Sequence, residues 1–254
     1  MLFYERHGSG PLLVLLHPVG LDNTFWADLP KRLAAAYTVI AVDTAGHGKS
    51  PDARRPGRMQ DRIDDLAELL SMLDEGPAVL IGVSFGGMIA QQVALARPDL
   101  VSGLVLAGCP GAIPEAGRDA MRKRGADAEG GGMPAVLNGT LERWFTPTFL
   151  STDEVRKVGE RLLADKPSNW AAAWEAVAEH DAFDRLKMID IPTLVIAGEK
   201  DAATPLTAKQ ALANAIPGSR LLVLQDAPHI MQIECPDGFA QAIIGFLLEL
   251  EKTS

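Results

Sequence analysis

The stretch AVLIGVSFGGMIAQQVALA, residues 78–96, decides the fold of this chain. Its opening AVLI predicts a buried strand, and its closing MIAQQVALA predicts a buried helix. Between them lies GVSFGG, residues 82–87, so that Ser84 stands at the junction between the strand and the helix. Glycines on both sides leave room for a strained backbone and for a helix that packs closely. The pattern predicts an exposed serine nucleophile, and the alternative is a glycine-rich turn with an incidental serine.

On either side of this stretch, short apolar runs alternate with helical patterns. Several runs, such as LLVLL and TLVIAG, are apolar throughout, which is typical of parallel strands buried on both faces. The alternation predicts an α/β fold with a doubly wound, mostly parallel sheet of seven or eight strands. The predicted strands are residues 2–6, 11–16, 37–42, 77–83, 101–107, 192–197 and 219–224. The predicted helices outside the longest connection are residues 23–36, 59–74, 85–96, 205–215 and 236–250.

The connection between the fifth and sixth predicted strands breaks the alternation. Residues 110–190 contain no strand signal, and helical patterns lie near residues 115–126, 134–145, 152–164 and 168–180. Three successive glycines at 130–132 predict a flexible joint. A connection of about 80 residues is too long for an ordinary loop. We therefore predict an α/β core, residues 1–109 and 191–254, with residues 110–190 inserted as a helical cap over the sheet edge where ligands bind.

A serine nucleophile needs a base and a group that orients the base. His229 follows the last predicted strand, in the segment LLVLQDAPHIMQIECP, and Asp201 follows the strand TLVIAG. The order Ser84, Asp201, His229 is the one expected when all three lie on loops at the carboxyl ends of the strands. His229 would take the proton of the serine, and Asp201 would hold the imidazole in the required tautomer. Asp226 is a competing acid, which we expect to serve the turn instead.

An acyl-transfer site also needs donors for the oxyanion of its tetrahedral intermediate. The backbone N–H of Phe85, the residue after the nucleophile, is one candidate. The second should come from the segment His17-Pro18-Val19-Gly20 after the second strand. Because proline has no N–H, the Val19 N–H is the candidate, and His17 is predicted to brace this loop. His47, in a Gly-His-Gly turn, is also predicted to be structural.

The composition of the chain argues against several classes of binding partner. The 254 residues are 47% hydrophobic and 22% charged, with a formal net charge of −9. This acidic balance argues against nucleic acid and against an anionic membrane surface. Two distant cysteines, Cys109 and Cys235, exclude a disulfide framework and favour a reducing cytoplasm. No apolar run is long enough to predict a membrane span, and no leader predicts secretion. We expect a cytoplasmic protein that is a monomer or a small homo-oligomer.

These features together resemble the α/β-hydrolase superfamily, along nearly the whole chain. Residues 43–50, DTAGHGKS, look like the turn after the family's fourth strand, and residues 229–239, HIMQIECPDGF, look like its histidine loop and final helix. The chain departs from the family in two places. It has His17-Pro18 where His-Gly is common, and its first hairpin is truncated to one strand. A serine at position 84 argues against dehalogenases and epoxide hydrolases, which carry an aspartate there.

A closer resemblance is to 3-oxoadipate enol-lactonases. It is carried by LHPVGLDNTFW (16–26), residues 82–107, ERWFTPTFL (142–150) and residues 170–205. The resemblance implies lactone hydrolysis without metal or cofactor. Other esterases, a C–C bond hydrolase and a non-catalytic small-ligand receptor on the same fold stay open as alternatives.

The predicted cap offers candidates for binding a small ester or lactone. Trp144, at the end of a cap helix, is our candidate for the pocket. A negatively charged lactone would need a cation, for which Arg143 and the Arg122-Lys123-Arg124 cluster are candidates, although a solvated helix face is the simpler interpretation of both. Trp170 and Trp174, four residues apart, are predicted to pack the cap onto the core.

Overall fold

A seven-stranded sheet forms the centre of the computed structural model, which describes residues 1–253. The strands lie in the order β1-β3-β2-β4-β5-β6-β7, and only β1 runs antiparallel, against β3. Their bounds are Tyr4–His7 (β1), Leu12–Leu16 (β2), Thr38–Val42 (β3), Ala78–Val83 (β4), Val101–Ala107 (β5), Thr193–Gly198 (β6) and Arg220–Leu224 (β7). The predicted mostly parallel sheet is confirmed, with seven strands.

Helices cover both faces of this sheet. Strands β2, β3, β4 and β6 are buried along their whole length, and their side chains divide between two apolar clusters, one on each face. The α-helices are Leu29–Leu33 (α1), Met59–Leu73 (α2), Phe85–Ala96 (α3), Glu115–Gly131 (α4), Pro134–Trp144 (α5), Asp153–Leu163 (α6), Pro167–Glu179 (α7), Leu206–Ala215 (α8), Met231–Glu234 (α9) and Pro236–Thr253 (α10). Two short 3₁₀ turns are Pro98–Leu100 and Phe183–Met188.

The predicted helix over residues 23–36 is wrong, because only α1 forms there. Asn23 gives its backbone N–H and its side-chain amide to the Asp43 carboxylate, which holds this segment as a loop. Ala27 has a left-handed φ of 50°, and Pro30 cannot donate an interior helix bond, so the helix starts beside it.

The predicted joint at residues 130–132 is also largely wrong, since Gly130 and Gly131 continue α4 and the helix ends only at Gly132, whose φ is 74°. Packing explains the difference. At Gly125 an added Cβ would lie only 2.8 Å from the Cα of Ala171, so α4 lies directly against α7 and tertiary contact outweighs the low helix propensity of glycine.

Four helices, α4 to α7, occupy the chain between β5 and β6. The segment leaves the sheet and returns through one short pairing, in which Ala112 bridges Asp181 and Ala182 donates its N–H to the Gly111 carbonyl. We describe these helices below as the cap, the role proposed for residues 110–190. Among residues 1–253, no helix combines the length and the apolar character needed to cross a bilayer.

Candidate active site

Ser84 sits on a sharp turn between β4 and α3. Its φ of 53° and ψ of −114° are unusual for a residue with a side chain, and such backbone strain costs about 1–3 kcal/mol. The turn is held by the Ser84 N–H, which donates to the Ala107 carbonyl at 2.8 Å, and by the Met88 N–H, which donates to the Ser84 carbonyl. Strain of this kind persists only where the surroundings impose it, and it is common at functional sites.

Glycines beside Ser84 allow the helix to approach the sheet. A Cβ on Gly86 would lie 2.0 Å from the carbonyl oxygen of Leu16, and one on Gly82 would lie 2.4 Å from the Gly86 carbonyl carbon. Neither gap accepts a methyl group without movement of the backbone.

We therefore expect Gly86→Ala to destabilise the protein by about 3 kcal/mol, because the added methyl must displace backbone of β2 or α3. Gly245→Ala is the matched control, since a Cβ there would meet no heavy atom of residues 1–253 within 4 Å beyond its chain neighbours and its own helix backbone, and α10 would gain up to about 1 kcal/mol from the better helix former. Urea unfolding of the two variants measures both changes in the free energy of unfolding. Equal stability for Gly86→Ala and the wild type would contradict the close approach.

His229 and Asp201 are in direct contact, as the chain order predicts. The imidazole Nδ1 lies 3.0 Å from Asp201 Oδ1 and 3.1 Å from Oδ2. Both side chains are buried, with 3% and 0% of their surfaces exposed. A carboxylate facing Nδ1 fixes that nitrogen as the proton donor, so Nε2 is left as the basic nitrogen.

The Asp201 carboxylate is held by several donors. Burial acts to raise the pKa of Asp201, but its interactions with His229 and Lys209 outweigh burial and hold that pKa well below its usual range. The backbone N–H groups of Ala203 and Thr204 also donate to Oδ1, each at 2.9 Å. The acid is thus ionised and fixed in place.

Asp226, the competing acid, lies elsewhere. It is exposed, with a φ of 58°, and its carboxylate pairs with Lys200 at 2.6 Å. Its backbone N–H donates to Glu199. This arrangement serves the turn after β7, as the sequence predicts.

The loop after β2 presents the second predicted oxyanion donor. The buried His17 ring lies 2.7 Å from the Pro18 carbonyl through Nδ1, and its Nε2 accepts the Thr44 N–H at 3.0 Å. Since Nε2 is an acceptor, Nδ1 carries the proton and donates to Pro18. Pro18 C=O and Val19 N–H belong to one peptide group, so His17 fixes the direction of that N–H. Burial lowers the pKa of His17, in keeping with a neutral ring.

Val19 and Phe85 each offer a backbone N–H as a hydrogen-bond donor. Within residues 1–253 neither backbone N–H has a hydrogen-bond acceptor, and Val19 lines the same cavity as Ser84. Phe85 N–H is the first of α3, whose positive dipole end favours developing negative charge. His47 instead packs against His17, with ring centroids 4.8 Å apart, and burial lowers its pKa well below the usual range.

A cavity of about 320 Å³ lies above the turn and is shared by the sheet and the cap. Ser84 and His229 reach it from the sheet, and Trp144 and Trp174 reach it from α5 and α7. The other lining residues are Val19, Met88, Pro110, Ala112, Ile113, Pro114, Met121, Arg124, Val177, Ala203, Thr204, Pro205 and Ala208. Most of this wall is apolar, which is typical of a small-molecule site.

Trp144 is fixed beside the histidine loop. Its carbonyl accepts the Ile230 N–H at 3.2 Å, and the next polar residue, Thr146, donates its backbone N–H to Glu234 at 3.1 Å. These bonds attach the end of α5 to the residues that follow His229.

Within residues 1–253, Arg124 is the one arginine or lysine among the residues that line this cavity. Its guanidinium lies 4.6 Å from the centre of the Trp174 ring, and none of the ion pairs within residues 1–253 involves it. Burial and then repulsion from Arg143 lower the pKa of Arg124 to about 10. Arg122 and Lys123 pair instead with Asp119 and Asp127 on the exposed side of α4.

Two predictions for the cap need correction. Trp174 does not only pack the cap, since it lines the cavity and its buried Nε1 has no hydrogen-bond partner among residues 1–253. Trp170 does pack the cap, and donates to the Arg124 carbonyl at 3.1 Å. Arg143 is not among the residues that line the cavity, although its charge contributes to lowering the pKa of Arg124.

Comparison with known proteins identifies the family. The sequence model of the alpha/beta hydrolase fold matches residues 11–236. The chain belongs to the α/β-hydrolase family. Among curated relatives of this α/β-hydrolase, 3-oxoadipate enol-lactonase 2 of Acinetobacter baylyi is 32% identical over 95% of this chain and 91% of that one. A pimeloyl-[acyl-carrier protein] methyl ester esterase of Aeromonas hydrophila is 31% identical, over 96% of this chain and 98% of its own.

Solved structures agree with the family assignment. The enol-lactonase from Burkholderia xenovorans LB400 superimposes with a TM-score of 0.91 at 29% identity, covering 97% of this chain and 96% of that one. A thermophilic esterase from Thermogutta terrifontis gives a TM-score of 0.91 at 30% identity, covering 98% and 93%. Lactonases and esterases therefore share this fold at similar distance from the α/β-hydrolase described here.

Proposed function

We propose that this α/β-hydrolase cleaves a small ester or lactone that carries a free carboxylate, and that it acts as a 3-oxoadipate enol-lactonase-like lactone hydrolase. The observation that carries the proposal is Arg124, which lines the cavity shared by Ser84 and His229 and has no ion-pair partner among residues 1–253. The resemblance to proteins named enol-lactonases supports the lactone.

In the proposed reaction, Ser84 Oγ attacks the lactone carbonyl while its proton passes to His229 Nε2. The carbonyl oxygen becomes an oxyanion and accepts the N–H groups of Val19 and Phe85. The C–O bond then breaks, and the enol oxygen takes the proton from His229. Water, deprotonated by His229, attacks the acyl-enzyme, and Ser84 is released with its proton restored.

Asp201 stays ionised throughout and stabilises the imidazolium that forms at His229. Its burial and its four donors keep the imidazole in one orientation. An enol is a better leaving group than an aliphatic alcohol, so an enol-lactone demands less of His229 as a general acid.

The charge of the cavity favours an anionic substrate. Arg124 is half-buried and repelled by Arg143, so the free site carries an unbalanced positive charge. A carboxylate bound there would relieve that repulsion and form a charge-assisted hydrogen bond. 3-Oxoadipate is a dicarboxylate, and when one carboxyl closes the enol-lactone ring the other remains free. The proposed substrate thus offers one group to Ser84 and one to Arg124.

A substrate panel tests this function. Steady-state kcat/KM is measured for 3-oxoadipate enol-lactone, an uncharged lactone of equal ring size, a neutral methyl ester and a vinylogous diketone. We expect the carboxylated lactone to exceed the others. Preference for the neutral methyl ester would favour a general carboxylesterase, and cleavage of the diketone alone would favour a C–C bond hydrolase. Saturable lactone binding with no turnover of any compound would indicate a receptor.

Arg124→Gln is expected to lower kcat/KM for the carboxylated lactone by about 10- to 100-fold, the value of a hydrogen bond to a charged group. p-Nitrophenyl acetate, which lacks a carboxylate, should be hydrolysed at nearly the wild-type rate. Arg122→Gln is the matched control, because it removes the same charge from the exposed face of α4. Trp144→Ala and Arg143→Gln should also change the ratio between the two substrates. Equal losses on both substrates would mean that this wall of the cavity is scaffold.

A further inference from the structure

Lys209 is a fully buried lysine in contact with the triad acid. Its side chain and that of Asp201 each have 0% of their surface exposed, and Nζ lies 2.7 Å from Asp201 Oδ2. Nζ also donates to the Thr204 carbonyl at 2.6 Å. A buried ammonium is costly unless it is paired. Here its partner is the carboxylate that contacts His229, so a single carboxylate separates the ammonium from the imidazole.

The ammonium gives Asp201 more than a hydrogen bond, because other groups already donate to this carboxylate. Oδ1 already accepts the backbone N–H groups of Ala203 and Thr204, and His229 Nδ1 lies near both carboxylate oxygens. Lys209 additionally supplies a full positive charge in a dry environment, where charges act strongly.

We propose that Lys209 is a positioning residue of this site: its ammonium holds Asp201 against His229 and offsets the carboxylate charge that the imidazole experiences. The inference rests on the proposed serine-hydrolase function, and it concerns the pH range over which that function operates.

The titratable and charged groups near the pair come from several elements. His229 comes from the loop after β7 and Lys209 from α8, and these two act on the Asp201 carboxylate. The Cys109 thiol, just after β5, experiences both charges, but burial raises its pKa to about 12 and it stays neutral. Arg124 is the cation in the cavity itself. Lys200 and Asp226 form an exposed pair, which solvent screens.

The direction of the effect follows from Coulomb's law. The reaction requires a neutral His229 that can accept the Ser84 proton, so activity falls at low pH when the imidazole becomes charged. The positive charge of Lys209 disfavours a second positive charge on His229, which lies in the same buried cluster. Without it, the uncompensated Asp201 carboxylate would favour the imidazolium, and activity would be lost at a higher pH.

Lys209→Gln removes the charge and retains an N–H donor. We expect the acid limb of its kcat/KM profile for p-nitrophenyl acetate to move up by roughly one pH unit. Below that limb the variant should therefore be about tenfold slower than the wild type, while the plateau rates stay close. Lys209→Met also removes the donor, so it should show the same shift with a lower plateau. Methionine needs no buried charge partner, which keeps one variant available if the other does not fold.

Lys200→Gln is the matched control, because it removes the same charge from the residue next to Asp201. Its pair with Asp226 is exposed, so its profile should coincide with that of the wild type. A Lys209→Gln profile that also coincides with the wild type, with only a lower unfolding temperature, would overturn the proposal. A shift of equal size in Lys200→Gln would overturn it too.

An activity-independent measurement separates this inference from the proposed function. The pH titration of the His229 imidazole is followed by ¹⁵N NMR in the wild type and in Lys209→Gln. Upward displacement in the variant supports the role of Lys209 even if no substrate is turned over. Unchanged titration contradicts it even if the wild type is an active serine hydrolase.

Discussion

Replacement of Ser84 by alanine is expected to lower kcat for every ester and lactone by several orders of magnitude, to a rate near that of a site without its triad. The change removes one oxygen and keeps Cβ, so the strained turn and its bonds to Ala107 and Met88 remain. The unfolding temperature should therefore stay close to that of the wild type.

The measurement is kcat/KM on the best substrate of the panel, together with thermal unfolding. Ser102→Ala is the control, since Ser102 is exposed and its hydroxyl donates to the Pro77 carbonyl near the start of β5. Wild-type turnover by Ser84→Ala would mean that another residue performs the chemistry.

Asp201→Asn is expected to reduce kcat on the order of 10⁴-fold, because an amide no longer enforces the tautomer with the proton on His229 Nδ1. Stability should also fall, since the change leaves the buried Lys209 ammonium without its carboxylate. Activity is therefore assayed well below the unfolding temperature of the variant, which calorimetry provides.

Asp226→Asn is the matched comparison, as it makes the same chemical change in the same region. Its carboxylate faces solvent and Lys200, so we expect kcat within about twofold of the wild type, as for most exposed ion pairs. Inactivation by Asp226→Asn with an active Asp201→Asn variant would show that the acid has been assigned to the wrong loop.

Much of the fold could be predicted because its signals are local. Continuous apolar runs indicated the parallel strands, and GVSFGG indicated the turn at Ser84 through glycines that the close contact with Leu16 requires. The extent of α1 and of α4 could not be predicted this way. Asn23 forms a loop through its bonds to Asp43, and Gly130 becomes helical in a helix that packs against α7. Both depend on partners distant in sequence.

The residues of the proposed site also divide into those that local sequence signals predict and those that depend on the fold. Asp201 and His229 follow strands, so topology alone brings them to one sheet edge. Arg124 is one of three adjacent basic residues in the sequence. The orientation of α4 places Arg124 at the cavity, while its two neighbours form exposed ion pairs. Lys209 was missed, although a signal existed. It shares the buried face of α8 with Leu212 and Ala213, the spacing at which a lysine is least expected.

The identity of the nucleophile is the central claim, and covalent labelling tests it most directly. The protein is incubated with a fluorophosphonate probe, digested and mapped by peptide mass spectrometry, with Ser84→Ala and heat-unfolded protein treated in parallel. We predict one label per chain, on Ser84, absent from both controls and slowed by 3-oxoadipate enol-lactone. A native protein that takes up no label, or takes it up on a residue other than Ser84, would contradict the account.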